Sequence, residues 1–247
     1  MRALLNTALM IIALALLPVF TAIAESGAAE ASPKGIGSEG YTWNKMTPER
    51  AEALKKTGDA ERGRDAFRGC RGCHKLDGFG RVDGLYPKLT GQHASVIIKQ
   101  VTDIRSGVRS NPKMEPFASA DAVSLQELAD IAAFLAKETT IKENGKGPGD
   151  QVRLGETIYS KNGCIKCHGK QGAGSKEKVY PVVAAQHYSY LLREMELIKL
   201  GIRENSHPDM VAAMRNLSPP EMEAVADYLS RLPDYRDTGT KKAGCAQ

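Results

Sequence analysis

The chain has 247 residues, 42% of them hydrophobic, and its 34 lysines and arginines against 29 aspartates and glutamates give a net charge of +5. The hydrophobic content excludes a disordered chain. A mild positive charge without a concentrated basic stripe argues against a nucleic-acid-binding protein.

The N-terminus has the features of an export signal. Arg2 precedes a largely apolar stretch that ends in the small-x-small sequence Ala22-Ile23-Ala24, as signal peptidases require. We therefore expect residues 1–24 to be a cleaved signal peptide and the protein to be periplasmic. An uncleaved membrane anchor is the alternative, although Asn6 and Pro18 weaken it. The following N-terminal extension, residues 25–57, is expected to form a short helix capped at Thr47, which Trp43 anchors onto the first domain.

The rest of the chain is an internal duplication. Cys-Arg-Gly-Cys-His at 70–74 returns as Cys-Ile-Lys-Cys-His at 164–168, and the same offset of 94 residues relates many further pairs. These pairs are Tyr86-Pro87 and Tyr180-Pro181, Gln92-His93 and Gln186-His187, Gly107 and Gly201, Arg109 and Arg203, and Asn111 and Asn205. A period of this size indicates two whole domains. We predict domains at 58–137 and 149–233, a polar, glycine-rich linker at 138–148 and a C-terminal tail at 234–247.

Both repeats are predicted to be all-α. A helix with a glycine four residues before an aromatic precedes each motif, at Gly63 and at Gly155. An amphipathic stretch follows each motif, and a closing helix opens with a capping box, at Ser124 and at Ser218. No alternating run is long enough to predict a strand.

The Cys-x-x-Cys-His motif has three interpretations. A redox dithiol belongs near a βαβ pattern, and half a zinc site needs further ligands at suitable spacing; the sequence offers neither. A haem c attachment site needs nothing else, because two thiols on one helical turn add to the vinyl groups and the next imidazole reaches the iron. Two motifs in an exported, duplicated helical chain therefore predict two covalently bound haem c groups, at Cys70, Cys73, Cys164 and Cys167, with His74 and His168 as iron ligands.

An electron carrier needs a sixth iron ligand at each haem. Met114 is the candidate in the first repeat, because it lies in the polar, proline-bearing loop RSNPKMEPF. In the second repeat we favour Met210, with His207 as its rival. Met214 is interpreted as a residue on the inward face of the closing helix, and His207 as a solvated loop residue.

These motifs together resemble the dihaem class I cytochromes c of the cytochrome c4 family. The resemblance rests on YPKLTGQH, on RSGVRSNPKM, on SLQELADIAAFLA and on their echoes in the second repeat. It implies two tandem cytochrome c-type domains, each wrapped around a covalently attached haem with His and Met ligands. It also implies that Pro87 and Pro181 lend their carbonyls to the ligating imidazoles, and that the glycine and aromatic of each first helix pack against Phe134 or Tyr228.

The predicted function is periplasmic electron transfer between respiratory redox proteins, including membrane-bound complexes. The alternatives are a dihaem redox enzyme, such as a peroxidase or a sulfur-compound dehydrogenase, and a dedicated cytochrome subunit of a dehydrogenase complex. His93 and His187 are expected to cap helices, or to bond a propionate or the other domain, rather than to bind iron. The basic residues around both motifs are either a solvated face or a collar that steers an acidic partner. Cys245 either pairs with another chain or is an unpaired thiol.

Overall fold

A computed structural model describes residues 35–36, 38–138 and 142–236. The predicted signal peptide and Cys245 lie outside these residues. In the part described, every regular element is a helix, and the only strand-like pairing is an isolated bridge between Ser175 and Tyr180. The all-α prediction is therefore confirmed. No helix in the described ranges combines the length and the apolar character needed to span a bilayer.

The first repeat and the segment before it contain six α-helices. They are α1 (Pro48–Lys55), α2 (Ala60–Ala66), α3 (Arg71–His74), α4 (Ala94–Arg105), α5 (Glu115–Ala118) and α6 (Leu125–Lys137), with a 3-10 helix, Phe67–Cys70, between α2 and α3. Helix α1 begins after Thr47, whose hydroxyl accepts a hydrogen bond from the Arg50 backbone N–H, as predicted.

The second repeat has the same order of α-helices, two of them longer than their counterparts, and lacks the 3-10 helix. Its helices are α7 (Val152–Lys161), α8 (Ile165–His168), α9 (Tyr188–Lys199), α10 (Pro208–Arg215) and α11 (Pro219–Arg231). Met214 lies in α10, not in the closing helix α11, so its predicted position was wrong. Pro208 at the first turn starts a separate helix, and Asn216 ends it before Ser218 begins α11. Met214 is nevertheless a buried core residue, as expected.

Each repeat is built on a close crossing of its first and last helices, α2 with α6 and α7 with α11. Gly63 and Gly155 make this approach possible, because a Cβ at either position would lie 2.0 Å from a carbonyl oxygen of the facing helix. The aromatics that follow pack in the predicted way, with 5.6 Å between the ring centroids of Phe67 and Phe134. The same distance separates Tyr159 from Tyr228.

The duplicated Gln-His pair joins the two repeats. The Gln92 amide exchanges two hydrogen bonds with the backbone of Val182, and the Gln186 amide does the same with Lys88. The Nε2 atom of His93 lies 2.8 Å from the Ala173 carbonyl, and that of His187 lies 2.8 Å from the Phe79 carbonyl. Of the three roles considered for these histidines, bonding to the other domain is the one that the structure shows.

A second contact region between the repeats uses charged side chains. Arg109 and Arg203, which the duplication relates, both contact Glu194 and Gln100, which are themselves related by the same offset. The linker is held as well, since the Asn144 amide donates to the carbonyls of Gln186 and Ser230. The two repeats therefore form a continuous packed structure rather than two tethered domains.

Candidate haem sites

The first Cys-x-x-Cys-His motif spans the end of the 3-10 helix and the single turn of α3. Lys75 then adopts a left-handed conformation with φ of 66°, which ends the turn; Gly169, with φ of 73°, does the same after α8. The loop after each motif folds back towards the histidine. Gly80 donates its N–H to the His74 carbonyl, and Gly174 donates its N–H to the His168 carbonyl. The two motifs thus have the same local backbone.

Both motif histidines are held in one tautomer by a proline carbonyl. The Nδ1 atom of His74 lies 3.3 Å from the Pro87 oxygen, and that of His168 lies 3.0 Å from the Pro181 oxygen. A carbonyl only accepts, so each Nδ1 carries the proton and each Nε2 keeps a lone pair for a metal. Burial lowers the pKa of both imidazoles, and the hydrogen bond to the proline carbonyl only partly opposes that shift. The predicted proline contact is confirmed.

Met114 faces the same cavity as Cys70 and His74 in the first repeat. The cavity, with about 390 Å³ of empty space including its mouth, is otherwise apolar and is lined also by Phe67, Leu89, Ile97, Val101, Phe117, Ala118, Val123, Leu128, Ile131 and Leu135. Burial raises the pKa of the Cys70 thiol to about 11. A ring-shaped apolar ligand, covalently held at one edge and ligated by an imidazole and a thioether, fits this lining.

The candidate ligands of the second repeat are arranged differently. Met210 is half-buried in α10 and packs against the core cluster that contains Ile158, Met195 and Met214. His207 is the N-cap of the same helix, where its Nδ1 accepts from the Asp209 N–H at 3.0 Å. It is half-buried against Trp43, with 4.8 Å between the ring centroids, so the expectation of a solvated loop histidine was wrong.

Trp43 is the third correction, because it contacts Lys99 of the first repeat but places its aromatic contacts on the second. Helix α1 does pack on the first repeat, against α4 and α6. The Trp43 ring, however, stacks on Tyr180 of the second repeat with 5.6 Å between centroids. The sequence contains no pattern that pairs a lone tryptophan with a residue 137 positions away, so no sequence signal could have located this contact.

The basic residues around the two motifs also differ in the structure. Around the first motif, Arg62, Arg68 and Arg81 pair with the carboxylates of Asp130, Asp65 and Asp83. Around the second, Lys166, Lys170, Lys176 and Lys178 are exposed to solvent. Lys176 pairs with Glu177, and Arg64 and Lys75 beside the first motif are exposed as well, so both motifs carry exposed basic side chains.

Known proteins share this organisation. The Cytochrome c family matches residues 60–138 and 152–233, which leaves the segment before residue 60 outside the match. The chain is 33% identical to cytochrome c4 of Thiocapsa roseopersicina over 73% of its own length and 96% of that protein. It is 32% identical to the thiosulfate dehydrogenase electron acceptor of Stutzerimonas stutzeri, over 69% of its own length and 81% of that protein. Among solved structures, reduced cytochrome c4 from Pseudomonas stutzeri superposes with a TM-score of 0.64 at 27% identity, over 71% of this chain and all of that one.

Proposed function

The chain belongs to the cytochrome c family as a dihaem electron-transfer protein of the cytochrome c4 type, and we propose that it acts as a periplasmic carrier between redox proteins with His/Met ligation at both irons. Cys70 and Cys73 would hold one haem c, and Cys164 and Cys167 the other, within domains 58–137 and 149–233. Bound haem c supplies a reversible one-electron couple at its iron. The predicted signal peptide supports the periplasmic location.

The single observation that carries the proposal is the cavity shared by Cys70, His74 and Met114. His74 presents a neutral imidazole whose Nε2 is free, because Nδ1 is committed to Pro87. Met114 presents a thioether within the same apolar lining. Two strong ligands from the protein would leave no vacancy at the iron, which suits electron transfer and disfavours oxygen or peroxide chemistry.

The absence of acid–base groups in that cavity supports a carrier rather than an enzyme. Among its lining residues only Cys70 and His74 titrate, and both are used in holding the haem. A peroxidase would need a further acid or base beside the reacting atoms. We therefore expect no turnover of peroxide or thiosulfate at the first haem.

For the second repeat we propose Met210 rather than His207 as the sixth ligand. His207 already uses Nδ1 to cap α10 and packs its ring against Trp43 and Tyr180. Removal of the imidazole would expose the Asp209 N–H and the indole face. Met210 has no such structural task beyond partial packing on the core.

Partner proteins are proposed by class only. A dehydrogenase is the proposed donor, since one relative is named as the electron acceptor of thiosulfate dehydrogenase. A membrane-bound respiratory complex is the proposed acceptor. Methionine ligation suits electron flow from a dehydrogenase to a respiratory complex, because it raises the reduction potential of a haem.

The test is the weak near-infrared charge-transfer band that sulfur-to-iron ligation produces in ferric haem, measured per haem in the purified dihaem protein. We expect Met114→Leu and Met210→Leu each to remove half of the band. Met214→Leu is the matched control, because Met214 is a core methionine of the same helix as Met210. If Met210→Leu leaves the band intact while His207→Gln changes the spectrum of one haem, His207 is the ligand and the proposal fails for the second repeat.

A further inference from the structure

The loops that lead to the two proposed sixth ligands each contain one arginine of a duplicated pair. Arg109 lies between α4 and Met114, and Arg203 lies between α9 and the helix α10 that carries Met210. The backbone N–H of each arginine donates to a carbonyl of the helix just before it, at 2.9 Å in the first repeat and 3.1 Å in the second. Each loop is therefore fixed to its own repeat by its backbone, and the arginine side chain is left to make other contacts.

The side chains of both arginines form ion pairs with the same carboxylate. The Oε2 atom of Glu194 lies 2.8 Å from Nη1 of Arg203 and 3.3 Å from Nη2 of Arg109. Glu194 belongs to α9 of the second repeat, so the first-repeat loop is held by a group from the other repeat. The carboxylate is only 12% exposed, and removal of one partner from a buried ion pair is far more costly than at the surface.

The position related to Glu194 in the first repeat is Gln100. Its Oε1 atom accepts from Arg109 at 2.8 Å and from Arg203 at 3.3 Å, so it also contacts both loops. An amide supplies hydrogen bonds without a charge. In the described ranges, Glu194 is the one carboxylate that forms an ion pair with either arginine.

Asn205 adds a further contact between the second loop and the first repeat. Its amide donates to Gln100 at 3.1 Å and to Asp103 at 2.8 Å, both in α4, and the residue is only 3% exposed. The related Asn111 instead accepts from the Met114 backbone N–H within its own loop. The second loop thus uses this position to contact the other repeat, whereas the first loop uses it to shape the turn at Met114.

The charge of Glu194 matters because the two guanidiniums lie close to each other. Burial and then the charge of Arg109 lower the pKa of Arg203, and Glu194 opposes that shift. If Glu194 were neutral, two buried like charges would face each other without its compensation. Their repulsion would act to separate the two loops.

We propose that Glu194 is a positioning residue for both sixth ligands, so that one shared carboxylate holds the Met114 loop of the first repeat and the Met210 loop of the second. Loss of its charge should loosen methionine ligation at both irons, although Glu194 belongs to only one repeat. This inference rests on the proposed ligation by Met114 and Met210.

The test uses imidazole as a competing ligand for the ferric iron of the haem-loaded protein. Imidazole binds only when the methionine has left the iron, so its apparent affinity rises with the fraction of molecules whose loop is open. Loss of the near-infrared sulfur-to-iron band follows the titration, in Met114→Leu for the second haem and in Met210→Leu for the first. Added to either background, Glu194→Gln should raise the imidazole affinity about tenfold, within the usual range of coupling between two sites.

Three single variants separate this role from a local effect. Arg109→Gln should raise the imidazole affinity of the first haem only, and Arg203→Gln that of the second only, because each releases one loop and leaves Glu194 to the other. Glu196→Gln is the matched control, since Glu196 is an exposed glutamate of the same helix, α9, and should change neither haem.

Exchange of the amide and the carboxylate tests whether the charge itself is needed. Glu194→Gln combined with Gln100→Glu moves the charge to the related position, which both arginines already contact, and should return both affinities close to their natural values. An unchanged first haem in Glu194→Gln, or no recovery in the double variant, would overturn the inference. Absence of the sulfur-to-iron band from the natural protein would overturn the proposed ligation, and this inference with it.

Discussion

The loops that follow the two motif histidines differ in chemistry although their backbones match. The first loop, residues 75–85, exposes Leu76, Val82 and Leu85 to 73%, 60% and 43%. The second, residues 169–179, carries exposed lysines at 170, 176 and 178 instead. The first loop therefore exposes three apolar side chains beside Lys75, and the second exposes three lysines beside Glu177. Trp43 stacks on Tyr180, directly after the second loop.

The residues that shape the haem sites themselves do not differ in this way. Both repeats keep the helix-crossing glycine, the proline carbonyl on Nδ1 and the Gln-His pair that joins the domains. These groups fix ligand geometry, so a change would affect the haem site directly. Surface loops carry no such constraint, and the two repeats have diverged in the exposed side chains of these loops.

The largest expected effect comes from substitution of the helix-crossing glycine, which both repeats have. Gly63→Ala or Gly155→Ala would place a Cβ 2.0 Å from a backbone carbonyl oxygen and under 3.0 Å from the Cβ of Phe134 or Tyr228. The two helices must then separate, and we expect each substitution to lower the free energy of unfolding by at least about 4 kcal/mol, the exceptional range for one residue. Urea unfolding of the haem-loaded protein measures this loss.

Gly69→Ala is the control for that experiment. Gly69 is exposed, and a Cβ there would meet nothing within 4 Å. Its effect should stay within about 0.5 kcal/mol, the range usual for surface sites. A tolerated Gly155→Ala beside a damaging Gly63→Ala would show that the two crossings are not equivalent.

The second prediction concerns an ion pair that only one repeat has. Lys88 is buried and lies 2.7 Å from Asp234, whereas the position related to Lys88 by duplication is Val182. Burial alone would raise the pKa of Asp234, yet its hydrogen bonds to Arg236 and Lys88 and the charge of Lys88 hold it well below its ordinary value. Asp234→Asn should cost about 3 kcal/mol, because a buried ammonium loses its charge partner.

A double variant separates the pair from simple packing. Lys88→Met together with Asp234→Asn removes both charges of this pair, and we expect it to recover the part of the loss that belongs to Lys88, while Arg236 still lacks its carboxylate. The pair should also make stability depend on pH in the acid range. Because the folded pKa of Asp234 is depressed, its contribution is complete above the ordinary aspartate pKa and is lost as the pH falls below it. An equal loss in the single and double variants would contradict this account.

Much of the fold could be predicted because it depends on local rules repeated twice. The capping boxes at Ser124 and Ser218, the glycine-aromatic helices and the Cys-x-x-Cys-His turns each lie within a few residues of sequence. The offset of 94 residues then tied these short signals to each other. The separate helix α10 was missed, because the methionine spacing alone could not show that Asn216 and Ser218 divide one apolar stretch into two helices.

The N-terminal segment, residues 38–57, could not be placed from the sequence for a different reason. Its contacts join residues that are far apart in sequence, such as Tyr41 with Ser206 and Arg50 with Asp103. Burial of an arginine or a tryptophan leaves no periodic pattern, so the sequence showed a short capped helix but not which repeat it would cover. Charged residues are seldom fully buried, and Arg50 and Lys99 therefore had no sequence signal for their position.

The third prediction tests how far the two Gln-His pairs are equivalent. His187 is fully buried and uses both ring nitrogens, since it accepts from the Gly145 N–H and donates to the Phe79 carbonyl. His93 is only half-buried, and its ring bonds the Ala173 carbonyl. We expect His187→Gln to cost about 2 kcal/mol and His93→Gln less than about 1 kcal/mol, because the first leaves buried groups unpaired.

The depressed pKa of His187 should also make the folded protein less stable at mildly acid pH. Burial lowers the pKa of His187, nearby Lys88 adds to that shift, and the Phe79 carbonyl and Asp83 oppose it. The unfolded chain therefore binds a proton that the folded chain refuses, and stability decreases as the pH falls below the ordinary histidine value of 6.5. Between pH 7.5 and pH 5, the free energy of unfolding should depend less steeply on pH in His187→Gln than in the natural protein. An unchanged dependence would mean that a group other than His187 causes the loss of stability.

The smallest predicted difference lies at the two capping boxes. Glu127 and Glu221 each accept from the backbone N–H and the hydroxyl of the cap serine. Helix α11, unlike α6, begins with two prolines, which have no N–H to satisfy and a backbone already set for a helix. Ser124→Ala should therefore cost about 1 kcal/mol and Ser218→Ala measurably less. Urea unfolding of the two variants measures the difference, and a larger cost at Ser218 would mean that the cap, not the proline pair, starts the closing helix of the second repeat.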